Sequence, residues 1–187
     1  MKDNSYLEGQ LLLAMPNMTD PRFDRAVIFV CSHSREGAMG LVINEPMLAL
    51  TFQELLEQLE IDVVEPISDI QVHRGGPVES GRGFVLHSAD YAQDSTLVVS
   101  QKLALTATVD ILRAVAQGQG PKNHLLALGY AGWGEGQIEA EIQQNAWLNA
   151  NADEEVIFHT ELEDKWPRAM AMLGIDISML SSEAGHA

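Results

Sequence analysis

Short apolar runs and polar turns alternate along the first part of the chain. Residues 11–15, 26–32 and 39–43 are apolar and rich in branched side chains, and "PNMTDP", "HSREG" and "NEP" break them apart. Runs of that length between turn formers predict three strands, the second and third joined as a hairpin. "TFQELLEQLEI" then changes period. Phe52, Leu55, Leu56 and Leu59 fall on one helical stripe, and Thr51 with Glu54 forms a capping-box pattern.

Residues 70–73 and 83–87 read as strands flanking "RGGPVESGR", and 96–99 as another. The spacing predicts a helix over 104–117 stopped by Gly118, a buried strand over 124–130 and a helix over 137–145. A strand over 156–159 and a helix over 165–173 close the pattern, with Pro167 in the helix's first turn and Gly174 after it. The tail, 178–187, is expected to be loose. Strands occur in groups instead of alternating with helices, which favours an α+β fold over a doubly wound sheet. No repeat or linker divides the chain, so residues 1–187 read as one domain.

Charge narrows the choice of partners. Eleven Lys and Arg face 27 Asp and Glu, a formal net charge of −16. Such a surface repels nucleic-acid phosphate and anionic lipid and favours basic partners, so neither nucleic acid nor membrane is expected as a partner. Cys31 is the only cysteine, which excludes an intrachain disulfide and suits a reducing compartment. The apolar run 11–15 is too short for a signal peptide or a bilayer span, so the expected location is the cytoplasm.

"LGYAGWGEGQIEAEI" raises the question of a phosphate cradle. Its spacing is Gly132-x-Gly134-x-Gly136, no Lys-Ser or Lys-Thr follows, and Glu135, Glu139 and Glu141 would repel a phosphate. The loop reads as architecture, with Trp133 tucked beneath it and Ile138 and Ile142 facing the core.

Cys31 and His33 stand two apart on a predicted strand, which would turn both to one face. That pair is the candidate for thiol chemistry; the alternative is a small buried thiol beside Val27 and Phe29. The six histidines show no metal-ligand spacing, so no metal or other cofactor is expected. Arg82, a scarce cation between two glycines, could clamp a carboxylate or phosphate with Asn44 and His87. Its alternative is an internal salt bridge to Glu139 or Asp20. The runs "DEE" at 153–155 and "ELED" at 161–164 read as solvated faces.

Three blocks carry a family resemblance: "GQLLLAMPNMTDPRFDRAVIFVCSHSREGAMGLVINEP", "RGGPVESGRGFVLHS" and "LALGYAGWGEGQIEAEIQQNAWL". In that order they resemble the AlgH/YqgE family of bacterial cytoplasmic proteins over nearly the whole chain. The resemblance implies an α+β fold with a mixed, bifurcated sheet that includes a small barrel, surrounded by helices. One branch of the family is named for an effect on alginate production, which suggests a transcriptional regulator. The family supplies no established catalytic residue. The positions here that match its polar pattern include Asp20, Arg25, Cys31, His33, Asn44, Arg82, His87, Gln137, Glu139, Glu141 and Asn145, with Arg74 in a looser part of it.

Three functional classes follow. The first is a non-enzymatic regulatory protein that binds a small-molecule ligand or a protein partner, with Asn44, Arg82, His87 and Glu139 as candidate binding residues. The second is a thiol-based enzyme or redox sensor using Cys31 and His33. The third is a transcriptional regulator, which the net charge of −16 opposes.

Overall fold

Leu11, Leu12 and Leu13 are all fully buried, although neighbouring side chains on a strand point to opposite faces. The sheet is therefore covered on both sides, which is why its strands read as continuous apolar runs. The structure, a computed structural model, describes residues 6–63 and 70–177. The expected looseness of 178–187 lies outside those residues.

In chain order the strands are β1 (Gln10–Ala14), β2 (Val27–Ser34), β3 (Gly37–Val42), β4 (Val72–Arg74), β5 (Val78–Ser88), β6 (Leu97–Val98), β7 (Leu103–Thr106), β8 (His124–Trp133) and β9 (Trp147–Asn151). They form one sheet in the order β6-β7-β5-β8-β3-β2-β1-β9, with β4 beside β8. Only the β4–β8 pair is parallel among the described strands, so the sheet is mixed, as expected. The sheet branches at β8. Leu126 to Leu128 pair with β5 on one edge and β4 on the other, and Ala131 to Trp133 continue that second edge against β3. The barrel-like part is a curled half-barrel.

Helices α1 (Phe52–Gln58), α2 (Val109–Ala116), α3 (Gln137–Gln143), α4 (Glu154–Phe158) and α5 (Leu162–Met172) close both faces. Val156 and Ile157 of α4, with Trp166, Ala169 and Met170 of α5, fill the face that presents Leu11, Phe29, Cys31 and Leu41. Ile138 of α3 packs with Leu12, Ile28, Val30 and Trp133 on the other face. Helices α1 and α2 cover Val72, Val85, Leu126 and Leu128. The capping box at Thr51 and Glu54 is formed.

Three element assignments are corrected. Residues 103–106 are strand β7, not the start of a helix, because they pair with Val85 to Ser88 of β5. Residues 154–158 are helix α4, not a strand. The Asp153 carboxylate accepts the Val156 N–H, so the "DEE" run forms a cap and first turn. Helix α5 begins at Leu162, within the "ELED" run, which places Pro167 inside it and not in its first turn. Proline removes one bond, to the carbonyl of the exposed Glu163, where water can replace it. Strand β9, which pairs with the whole of β1, was not predicted.

Helix α5 is tied to the sheet by polar groups as well. Trp166 donates from Nε1 to the Ala14 carbonyl at 2.8 Å. Lys165, buried, donates from Nζ to the carbonyls of Ile43 at 2.8 Å and Ile157 at 2.7 Å. Burial pushes its pKa down to about 8. No helix among the described residues is long and apolar enough to cross a membrane.

Candidate functional site

The branch point of the sheet creates the site. Gly75 joins the two arms: its N–H donates to Leu128 and its carbonyl accepts the Val42 N–H, both at 2.8 Å. Gly76 then packs on the Tyr130 backbone so closely that a Cβ there would overlap it. Strand β5 pairs at Val78 with Tyr130 and next at Gly83 with Leu128, leaving residues 79–82 opposite Gly129 alone. Gly129 has φ +78°, and Glu79 is in the left-handed region at φ +45°. A bulge of this size re-aims side chains away from the sheet. Here it pushes Glu79, Ser80 and Arg82 outward between two concavities.

The first is a half-enclosed cleft of about 520 Å³. One wall is the 3-10 turn of Pro21–Phe23, which brings Arg22 and Phe23; the other is Arg74 and the Gly76–Pro77 turn, with Ser80. Val42, Glu45 and Met47, from the end of β3 and the residues after it, complete it. Its lining combines the apolar Phe23, Val42, Met47 and Pro77 with the charged Arg22, Glu45 and Arg74. The side chains of Arg22 and Arg74 are 62% and 59% exposed. Arg22 is held by Asp20 at 2.7 Å, whereas Arg74 stands 3.8 Å from Glu45, long for an ion pair.

The second is an open groove of about 650 Å³ over the sheet face. Phe84 and Tyr130 stand edge to face at 5.8 Å, and the Arg82 guanidinium lies 5.1 Å over the Phe84 ring. Met39, Val78 and Trp133 extend the apolar surface, and Ser32, Ser34 and Glu36 from the β2–β3 hairpin form a polar rim.

The residues expected to cluster around Arg82 do not meet it. Arg82, half exposed, pairs with Glu79 at 3.4 Å, not with Glu139 or Asp20. Asn44 serves the first cleft as a brace. Its Oδ1 accepts the Val27 N–H at 2.9 Å and its Nδ2 donates to the Arg25 carbonyl at 2.8 Å, fixing the segment that carries Arg22 and Phe23 against the end of β3. His87 is fully buried. Its Nδ1–H donates to the Ser88 carbonyl, so Nε2 accepts the Thr106 hydroxyl proton at 2.8 Å, and Thr96 in turn donates to Thr106. That chain ties the 89–98 segment to β5 and β7. Burial holds the His87 pKa below its ordinary value.

Glu139 pairs with His33 instead, at 2.7 Å. His33 Nδ1 accepts the Leu7 N–H at 2.9 Å, so the proton on Nε2 is the one donated to Glu139. Burial opposes ionisation of Glu139, but hydrogen bonds from its own backbone and from His33 outweigh it and hold the carboxyl below its ordinary value. Cys31 does not share this face. It is buried, its thiol directed to the Phe29 carbonyl, and burial, aided by Glu8, pushes its pKa up to about 12. In the glycine loop the Gly134 N–H is taken by the Gln137 side chain at 2.9 Å, and Trp133 is buried. No cluster of three or more His, Cys, Asp or Glu able to hold a metal ion occurs among the described residues.

Arg22, Phe84 and Tyr130 do not stand out in the sequence as candidate site residues, and Arg74 matches only a looser part of the family's polar pattern. The usable signal was positional. In a chain with only eleven Lys and Arg, Arg22 follows "DP" and Arg74 precedes "GGP", both turn formers that display a side chain.

Known proteins share this architecture. A family model described as AlgH-like matches residues 11–178. A UPF0301 protein of Nitrobacter hamburgensis is 54% identical, over 99% of this chain and 89% of that one. Another, of Cereibacter sphaeroides, is 55% identical over 97% and 99%. The solution structure of the AlgH protein from Pseudomonas aeruginosa matches with a TM-score of 0.81 at 43% identity, covering 100% of this chain and 99% of that one. A crystal structure of a Corynebacterium diphtheriae protein shares the fold, with a TM-score of 0.76 at 19% identity over 97% and 94% of the two chains. With the family match and these identities running over most of its length, this chain belongs to the AlgH-like family.

Proposed function

We propose that this chain is a cytoplasmic, non-enzymatic binding protein with a regulatory role, and that its ligand is a small organic anion held between Arg22 and Arg74. The observation that carries this reading is convergence. A chain with net charge −16 brings two arginines, both side chains more than half exposed, into the lining of one cleft that also holds Phe23, Val42 and Met47. A guanidinium fork matches carboxylate and phosphate oxygens alike, and the apolar lining residues suit the body of an organic acid. The loose Arg74–Glu45 pair leaves Arg74 free to exchange Glu45 for the ligand. Asn44 keeps its place in this reading as the brace of the cleft. Ser80, in the 79–82 bulge, adds a hydroxyl at the wall.

The thiol reading has less support, because Cys31 is buried and His33 is engaged with Glu139. The DNA-binding reading is opposed by the charge.

The test is a thermal-shift series with inorganic phosphate, citrate, benzoate and a medium-chain fatty acid, followed by calorimetry on any that stabilises. A ligand at 100 times its Kd should stabilise by about 2.7 kcal/mol. Arg74→Ala should abolish the response while leaving the unliganded melting point nearly unchanged, since an exposed pair contributes only about 0–1 kcal/mol. A response that survives loss of both Arg22 and Arg74 would overturn the reading.

A further inference from the structure

We propose that the aromatic groove beyond the 79–82 bulge docks a basic segment of a partner protein by receiving an arginine or lysine side chain against Phe84 and Tyr130. The groove already holds a template for that contact. Arg82 lays its guanidinium 5.1 Å over the Phe84 ring while its side chain stays 55% exposed. The ring face therefore accepts a cation, and the internal one is lightly held, by Glu79 at 3.4 Å. Tyr130, set edge to face against Phe84, offers a second aromatic surface in the same groove.

Charge selects the occupant. Glu79 is matched by Arg82, and Arg35 lies 3.9 Å from Glu135 beside the groove. Glu36, on the groove's rim at the tip of the β2–β3 hairpin, has no ion pair among the described residues. A partner cation would find an uncompensated carboxylate there, and the field of a chain with net charge −16 would draw it in. The same field repels a nucleic acid, which would bring phosphate to Glu36. The groove is open and lies across the sheet face, so it suits an extended segment carrying spaced side chains more than an enclosed small molecule.

The experiment is an NMR titration of the full-length protein with a short capped peptide alternating arginine and leucine. The peptide with glutamate in place of arginine, the all-leucine-and-serine peptide and a double-stranded DNA serve as comparisons. Shifts from the arginine peptide should centre on Ser32, Glu36, Phe84 and Tyr130. Glu36→Lys should weaken binding about tenfold, while Glu57→Lys, the same charge change on exposed α1, should not. Arg82→Gln should strengthen binding by freeing the Phe84 ring, whereas Arg22→Gln, an equal loss of charge, should leave it unchanged. Shifts spread evenly over the acidic surface, equal effects of the two lysine variants, or weaker binding by Arg82→Gln would each overturn the proposal. So would tighter binding of the DNA or of the uncharged peptide at the same residues. Arg74→Ala should not alter this titration, so the groove and the anion cleft stand or fall separately.

Discussion

Cys31 and His33 lie on one strand, two residues apart, yet face opposite sides of the sheet. Strand β2 pairs Val30 with Gly40 and Ser32 with Met39, so Cys31 is the extra residue of a β-bulge. The bulge reverses the alternation. Cys31 joins Val27 and Phe29 in the core cluster under α4 and α5, while His33 turns to Glu139 on α3. The geometry that would let an imidazole activate the thiol is absent from this arrangement.

The thiol should therefore be inert in the folded state. With its pKa raised to about 12 by burial, almost no thiolate exists at neutral pH. Labelling with DTNB should be slow in native protein and fast after unfolding. Cys31→Ala should cost little, and Cys31→Ser more, because it buries a stronger polar group. Rapid native-state labelling, with a midpoint below that of free cysteine, would restore the thiol-chemistry reading.

His73 should make the fold sensitive to mild acid. Burial pushes its pKa down to about 4, and the nearby Lys165 charge acts in the same direction, against the hydrogen bond from Nδ1–H to the Leu126 carbonyl at 2.9 Å. The unfolded chain takes up this proton near its ordinary value of 6.5, the folded chain only near 4. The stability it contributes is thus complete above 6.5 and is lost as pH falls towards 4, about 3 kcal/mol in all. In chemical denaturation at a series of pH values, His73→Gln should flatten the slope in that window by up to one proton. Parallel curves for the two proteins would refute the assignment.

The fold was legible where burial is uniform, and the site was not. Leu11 to Leu13 and Val27 to Val30 read as strands because both faces of the sheet are covered. Ala104 and Leu105 were misread because helical periodicity cannot register their pairing with His87 and Leu86. Residues 156–159 read as a strand because the Asp153 cap that starts the helix depends on the backbone direction before it. The bulge at Cys31 has no glycine to mark it. Arg22 and Arg74 line one cleft because Asn44 fixes the segment after Arg22 and Gly75 ties the segment after Arg74 to Val42 and Leu128, contacts no local pattern contains.

Asn44 should act on the proposed anion cleft without lining it. Its side chain satisfies the Val27 N–H and the Arg25 carbonyl, and Arg25 is itself held at φ +53° with its guanidinium 5.4 Å over Trp166. Asn44→Ala leaves the Val27 N–H, at a fully buried residue, without its partner, a loss of about 1–3 kcal/mol. It should also weaken any ligand that responds to Arg74→Ala, because the Arg22 wall is no longer braced. Asn44→Asp keeps the acceptor and loses the donor, so its melting point should fall between the two. An alanine variant that melts like the wild type would remove the brace from the account.

Gly76 and Gly81 lie five positions apart in "GGPVESG" and should respond in opposite ways to alanine. A Cβ on Gly76 would overlap the backbone of Tyr130 and Ala131, and neither can move without breaking the branch of the sheet at β8. Gly76→Ala should therefore destabilise severely, yielding insoluble protein or a large drop in melting temperature. A Cβ on Gly81 meets nothing within 4 Å, and Gly81 is not in the left-handed region. Gly81→Ala should be tolerated and should gain about 0.4–1 kcal/mol by restricting the unfolded chain. Thermal melts of the two single variants decide the matter. Equal destabilisation would mean that the 79–82 bulge needs the freedom of glycine, whereas a harmless Gly76→Ala would show that the close packing at the branch point is not what holds the two clefts apart.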